Sequence, residues 1–231
     1  MLWLPEGNRI QKYKSIREIG KSLNGKITKV IPKEVIDRTA REMNILVRGV
    51  LVFDSQGELD FLFDRIIYDV PWDGRTIIEH FEAESGSKLS AAEKEILEAM
   101  KEAYFSLFEV VGGIVGESLQ LSDLLSDNEI ELMDLSLSAT ASVGLLLATR
   151  LVRIEDIYIT TGIAYPFLSE RKDTLISGLE APQTIRRGRR KRSIRRRMDY
   201  SAPKNYSLYF FRQYKSFDEL EISMSGDWDE E

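Results

Sequence analysis

Phe105-Ser-Leu-Phe-Glu-Val-Val-Gly-Gly-Ile-Val-Gly-Glu-Ser-Leu-Gln-Leu121 is the stretch on which the fold turns. Two short β-prone runs, 105–111 and 114–121, stand on either side of Gly112-Gly113. A glycine pair between apolar runs marks a turn or a bulge, because glycine enters positive-φ backbone without steric penalty. The rhythm continues downstream, where 129–135, 144–152 and 158–165 are again short β-prone runs bounded by turn residues, with a loop over 123–128. Five such runs, close together in sequence, predict a compact antiparallel sheet or small closed barrel over 105–167.

Ahead of this region the apolar period lengthens to three or four. Val35, Ile36, Ala40 and Met43, following Pro32, predict a helix over 33–43, since proline suits a first helical turn. Residues 9–23 read as a helix ending near Asn24-Gly25, and 46–53 as a strand or extended segment. Ser55 with Glu58, and Ser90 with Glu93, have capping-box spacing, in which a hydroxyl and a carboxylate three residues apart satisfy free amides at a helix start. Behind the first box, Leu59, Leu62, Phe63, Ile66 and Ile67 form a stripe. Behind the second, Ile96, Leu97, Met100, Ala103 and Tyr104 carry a helix from 91 to about 104. Asp73 or Gly74 opens a shorter helix containing Thr76, Ile77, Ile78 and Phe81 that fades by Gly86. Helices followed by strands predict an α+β fold. Its parts are a helical part (1–104), a small barrel-like part (105–167) and a tail (168–231) holding one more helix over 168–179 that Ala181-Pro182 ends.

Charge is segregated along the chain. Arg186, Arg187, Arg189, Arg190, Lys191, Arg192, Arg195, Arg196 and Arg197 place nine cations and no acid in the arm at 183–198. Removing those nine from 32 Lys+Arg leaves 23 against 38 Asp+Glu, a body of 23 − 38 = −15. Cations this dense repel one another, so the arm is predicted to be flexible and solvated until a polyanion or an acidic surface neutralises it. Beyond the arm, Tyr206, Tyr209, Phe210, Phe211, Tyr214 and Phe217 crowd an aromatic segment at 206–217, which either folds back onto the body or binds another molecule, before an acidic end at Asp227, Asp229, Glu230 and Glu231.

Composition removes much chemistry. With no cysteine there are no disulfides, thiolate zinc sites or cysteine nucleophiles, and a single histidine, His80, leaves no His-rich metal site. No cofactor or metal is called for. No run approaches the ~18 apolar residues of a membrane span, and the opening residues Met1-Leu-Trp-Leu-Pro-Glu6 lack a secretory pattern, so a cytoplasmic protein is expected.

Phe61-Leu-Phe-Asp-Arg-Ile-Ile-Tyr-Asp69, Asp73-Gly-Arg-Thr-Ile-Ile-Glu-His-Phe81, the helix after Leu89, Ser106-Leu-Phe-Glu-Val110 and Leu121-Ser-Asp-Leu-Leu125 resemble poorly characterised bacterial proteins that often carry a SEC-C motif. Thr149-Arg-Leu-Val152 and 158–162 are similar in style to their last strands. The resemblance covers roughly 35–167 and implies a helical-then-β body of undefined activity. It stops short of the SEC-C zinc module, which a cysteine-free chain cannot form.

Several constellations have competing readings. The arm points to RNA or DNA, since arginine forks onto phosphate oxygens and stacks on bases, with Tyr200, Tyr206, Tyr209 and Phe210 as nearby stacking platforms. Against this stands neutralisation within the molecule by the acidic body or tail, or contact with an acidic protein or anionic membrane. The barrel region itself is acidic: Arg150 and Arg153 are its only cations beside Glu109, Glu117, Asp123, Asp127, Glu129, Glu131, Asp134, Glu155 and Asp156. The leading expectation is therefore a non-catalytic binding protein whose arm engages nucleic-acid phosphates with little sequence selectivity. The alternative is an adaptor that docks on a protein partner through Tyr206, Tyr209, Phe210, Phe211 and Tyr214. Asp54, Glu58, Asp60, Asp64, Asp69 and Asp73 raise a Mg²⁺ site but read as solvated helix faces. His80 reads as a cation at a helix C-terminus. Gly112-Gly113-Ile-Val-Gly116 lacks the lysine of a phosphate loop and reads as a turn or bulge.

Overall fold

The computed structural model describes residues 9–180, 183–184, 197–198 and 205–217. Five helices come first: α1 (Arg9–Ile27), α2 (Lys33–Met43), α3 (Gln56–Tyr68), α4 (Ile77–Ser85) and α5 (Ala91–Lys101). Between α2 and α3 lies a small hairpin, β1 (Leu46–Val47) and β2 (Val50–Leu51). The helix predicted to stop at Asn24-Gly25 continues to Ile27, because Leu23 and Ile27 are both wholly buried. That burial offsets the roughly 1 kcal/mol penalty of a helical glycine. The extended segment predicted over 46–53 is broken by Arg48-Gly49, both at positive φ, which turn it back on itself.

Both ends of α5 follow from its sequence. Ser90 Oγ accepts the Glu93 N–H, and Glu93 accepts from the Ser90 N–H at 2.9 Å, completing the box. Tyr104 leaves the helix to start the next strand. Glu93 also takes Lys26 Nζ, tying α5 to α1. The hydrogen bond from Lys26, followed by that from the Ser90 amide, holds the Glu93 carboxyl down at about 2. A depressed carboxylate contributes stability above its unfolded pKa that is lost as pH falls through the folded one. Thermal unfolding of the wild type is thus expected to lose ground between pH 4.5 and 2. Glu93→Gln should flatten that part of the melting-temperature profile, and an unchanged profile would show that the tie contributes nothing.

The strand-rich part is a closed barrel of β3 (Tyr104–Ile114), β4 (Ser118–Asp123), β5 (Glu129–Met133), β6 (Leu146–Ile154) and β7 (Ile157–Phe167), in the order β3-β4-β5-β7-β6 with β6 returning to β3. All pairings are antiparallel except β5 with β7, which meet at Leu132↔Tyr158. A meander of three strands followed by a crossover through α6 (Leu135–Thr140) is the arrangement of a Greek-key barrel of the OB type. Asp134 caps α6 by accepting the Ser136 and Leu137 amides and also accepts from Thr160 Oγ1, fixing the crossover against β7.

Alternation along the strands sorts their side chains. Phe108, Val110, Leu121, Leu132, Leu147 and Leu151 fill the barrel interior. Leu107, Leu146, Ala148 and Val152 point outward into a second core shared with the helices. This explains the near-continuous apolar run of β6, which is buried on both faces. The outer core takes side chains from the 1–104, 105–167 and 168–231 parts alike.

The last part is only partly a tail. α8 (Tyr206–Ser216) lies against barrel strands β3, β6 and β7, and α7 (Lys172–Glu180) packs on α8. Between them the backbone of β8 (Gln183–Thr184) pairs antiparallel with β9 (Arg197–Met198). α7 and α8 approach closely at Gly178, where an added Cβ would stand 2.1 Å from Tyr209 Oη. Tyr209 in turn donates to the Leu175 carbonyl at 2.8 Å.

Candidate functional site

The two ends of the arm are joined by a strand pair. Gln183 pairs with Met198 and Thr184 with Arg197, and the helices on either side are fixed by Leu175 and Leu179 of α7 and Leu208 of α8, all buried. Of the nine predicted cations, Arg197 is placed by its backbone in β9. Arg186, Arg187, Arg189, Arg190, Lys191, Arg192, Arg195 and Arg196 lie outside the described residues, as do Tyr200 and the acidic end.

Of the two courses open to the aromatic segment, it takes the fold back onto the body. Its rings are spent on the body. Tyr209, Phe210 and Phe211 are at most 3% exposed, and Tyr206 and Tyr214 are half-buried. Phe211 stacks on Phe61 of α3 at 4.6 Å, Phe210 lies 6.0 Å from Phe105 of β3, and Tyr214 lies 4.9 Å from Tyr165 of β7. The physical reason is area: six aromatic side chains next to a barrel wall of Phe105, Tyr165 and Phe167 remove more apolar surface from water by folding back than by waiting for a partner. The polar residues of α8 face the same way. Lys215 meets both Asp54 and Glu58, and Arg212 donates to the Glu42 carbonyl at 2.8 Å.

A buried ionic cluster joins α3, β6 and α8. Arg150 donates from Nε to Asp64 at 3.0 Å and from Nη2 to Asp69 at 2.7 Å. Its guanidinium lies 4.7 Å over the Tyr68 ring. Asp64 also accepts from Thr161 Oγ1 at 2.6 Å, and Asp69 from Ser207. Arg65 donates to Ser207 Oγ at 3.3 Å and to Glu42. Burial pushes the Asp64 carboxyl up, against the pull of Arg150; for Arg150, the two carboxylates overcome burial and hold its pKa above the ordinary value. The cluster is internal and locks three elements together.

These contacts revise the other candidates. Glu58 does not box with Ser55, whose side chain makes no cap; it accepts the Asp54 amide at 2.9 Å and is drawn inward by Lys215. Asp60 accepts from Gln56 and is a solvated helix acid, but Asp64 and Asp69 are buried with Arg150 rather than solvated. Among the described residues no three such side chains converge as a metal ion would need. The inward face of α3 carries Phe61, Leu62 and Ile66, with Leu59 and Phe63 only half-buried. The α4 helix starts at Thr76, with Glu79 completing its box, and not at Asp73 or Gly74. His80 consequently sits within the helix rather than at its C-terminus, and its Nε2 donates to the Trp72 carbonyl at 2.8 Å. Gly112-Gly113 continues β3 past a bulge at Val111.

Sequence reasoning passed over Arg150, Ser207 and Lys215. Arg150 did leave a signal: an arginine flanked by apolar residues in a strand buried on both faces must carry its counter-charges inside with it. On the barrel's outside, acids are matched by cations from helices: Arg9 with Glu131 at 2.8 Å, Lys12 with Asp156 at 2.7 Å and Lys172 with Glu109 at 2.7 Å.

The chain belongs to a family of unknown function (DUF7986), whose model matches residues 7–208, a span that includes the arm and ends in the first turn of α8. That match says nothing of SEC-C-motif proteins. No curated protein and no solved structure matches the chain. No helix among the described residues is long and apolar enough to cross a membrane.

Proposed function

We propose, with membership of a family of unknown function as the premise, that this is a cytoplasmic binding protein whose arginine-rich arm engages the phosphates of RNA or DNA with little sequence selectivity. The observation that carries this reading is the charge separation, +9 within 183–198 against −15 in the rest of the chain. The fold supports it in two ways. The arm's two ends are joined by a strand pair, and the helices before and after it belong to the core. Several of the body's cations, in contrast, are engaged with its own carboxylates, as at Arg9, Lys12, Lys26, Lys101, Arg150, Lys172 and Lys215.

An OB-type barrel is a frequent oligonucleotide platform, but a fold alone does not carry a function. Here the β4–β5 wall presents Glu129, which repels phosphate, and Glu131, whose charge Arg9 already takes. The barrel acts as the support, and the arm as the contact.

The test is anisotropy of a labelled oligonucleotide with the full chain. Each neutralised phosphate releases counterions, so six to nine contacts should lower affinity by about 10³-fold or more between 50 and 200 mM salt. Replacing 185–196 with an uncharged Gly/Ser linker of equal length should abolish binding while keeping α8 in the core. Binding that is flat in salt, or that survives the linker, would refute the reading.

A further inference from the structure

One end of the barrel, where β3 begins, β6 ends and β7 begins, carries an aromatic and cationic group that the interior does not absorb. Strand alternation sets Tyr104 on the inner face of β3 with Phe108, whose ring lies 6.3 Å from its own. In the ladder Tyr104 stands opposite Leu151, and two residues further along the same face of β6 comes Arg153, opposite Tyr158 of β7. The Arg153 guanidinium lies 5.6 Å over the Tyr158 ring, and its Nε donates to the Glu155 carbonyl at 3.0 Å. Among the described residues its two Nη groups have no partner. Tyr104 is 36% exposed, Arg153 is exposed and Tyr158 is half-buried. Burial raises the Tyr104 hydroxyl above its ordinary pKa, and Asp123 and Tyr158 are near enough to add to the shift. The acids around this end are compensated. Asp123 accepts from Ser106 and Ser126 and from the Leu125 amide, and Glu155 and Asp156 both meet Lys12.

α8 enters the body at the same level. Phe105, next to Tyr104, stands opposite Arg150 and 6.0 Å from Phe210, and Arg150 shares Asp69 with Ser207 in the first turn of α8. Met198, in the strand pair that joins the arm's ends, precedes Ser207 by nine residues, a span of roughly 30 Å at full extension. We propose that Tyr104, beside Arg153 braced on Tyr158, is a stacking site for an unpaired base of a single-stranded nucleic acid whose phosphates the arm holds. The proposal rests on the arm reading above and specifies its ligand. A base is uncharged and can approach an acidic barrel where a phosphate is repelled, and only an unpaired base has a face to offer. An aromatic face with an arginine at its side is the combination that sequence-tolerant single-strand sites use. Tyr104 takes the face of the base, and the Nη groups of Arg153 take the phosphate next to it.

The test is anisotropy of the full chain with two labelled strands of about twelve nucleotides, one carrying thymine or uracil throughout and one abasic, each made in DNA and in RNA form. The two strands carry the same phosphates and differ in their bases. In at least one form, which assigns the source, the base-bearing strand is expected to bind about tenfold more tightly, the effect of one good stack. Tyr104→Leu, which keeps an apolar contact with Phe108, should remove that difference and leave both the affinity for the abasic strand and the salt slope as they were. Tyr104→Phe should keep it. Equal affinity of the wild type for the two strands in both forms overturns the stacking site while leaving the arm reading intact, and needs no variant to fold. A preference that survives Tyr104→Leu does the same. Binding of neither strand overturns both.

Discussion

Arg150→Met is expected to lower the unfolding free energy by about 3–5 kcal/mol, because it leaves Asp64 buried without its counter-charge and Asp69 with only the longer contact to Arg65 at 3.8 Å. The loss should come from the stranded carboxylates more than from the missing ion pair. A triple variant that also carries Asp64→Asn and Asp69→Asn is therefore expected to recover much of it, as replacing a whole buried ionic group by neutral residues often does. The pH dependence has a definite sign. Burial already raises the Asp64 carboxyl, and removing Arg150 removes the charge that opposes this shift. A carboxyl raised in the folded state makes stability fall as pH climbs from the unfolded to the folded pKa. The gap between wild type and Arg150→Met should accordingly be widest near neutrality and narrow as pH falls toward the ordinary carboxylate range. Urea unfolding at two pH values checks both points. Equal stability of Arg150→Met and wild type at neutral pH would show the cluster to be solvated.

Phe210→Ala is the second large effect, again about 3–5 kcal/mol, from a ring with no exposed surface packed on Phe105, Phe167 and Tyr209. Tyr206→Ala, at a half-buried position of the same helix, should cost distinctly less. Chemical denaturation separates these outcomes. If α8 merely rested on the body, both variants would unfold at the wild-type midpoint. A loss confined to Phe210 shows that the helix is part of the cooperative unit.

Local rules read much of this fold correctly. Lys33–Met43 and the Ser90–Glu93 box depend on residues within one or two turns of each other, and the five β-prone runs of 105–167 carry their turn residues with them. The longest-range surprises share a physical cause: each depends on a partner far along the chain. Glu58 has capping-box spacing, but Lys215 claims it across 157 residues. The aromatic segment has the composition of a docking surface, and only the position of the barrel wall decides that it docks at home. At Arg48-Gly49 the failure was local, a two-residue turn hidden in an apolar run. Of the candidate site, the charge of the arm was legible as composition. Its base, a strand pair bridging residues 183 and 198, could not be read from local pattern.

The ties from α3 and its neighbours to α8 also set an order of events during synthesis. Arg65 is separated from Ser207 by 142 residues and Glu42 from Arg212 by 170, so the first helices to leave the ribosome are among the last to find their partners. At ~5–20 residues per second, the α3 surface that will receive Phe211 waits on the order of ten seconds for it. During that interval the nascent chain displays an apolar face that a chaperone would cover and a protease would recognise. A message truncated between the arm and α8 would yield a product kept permanently in that state, with the arginines translated but the helix that follows them missing.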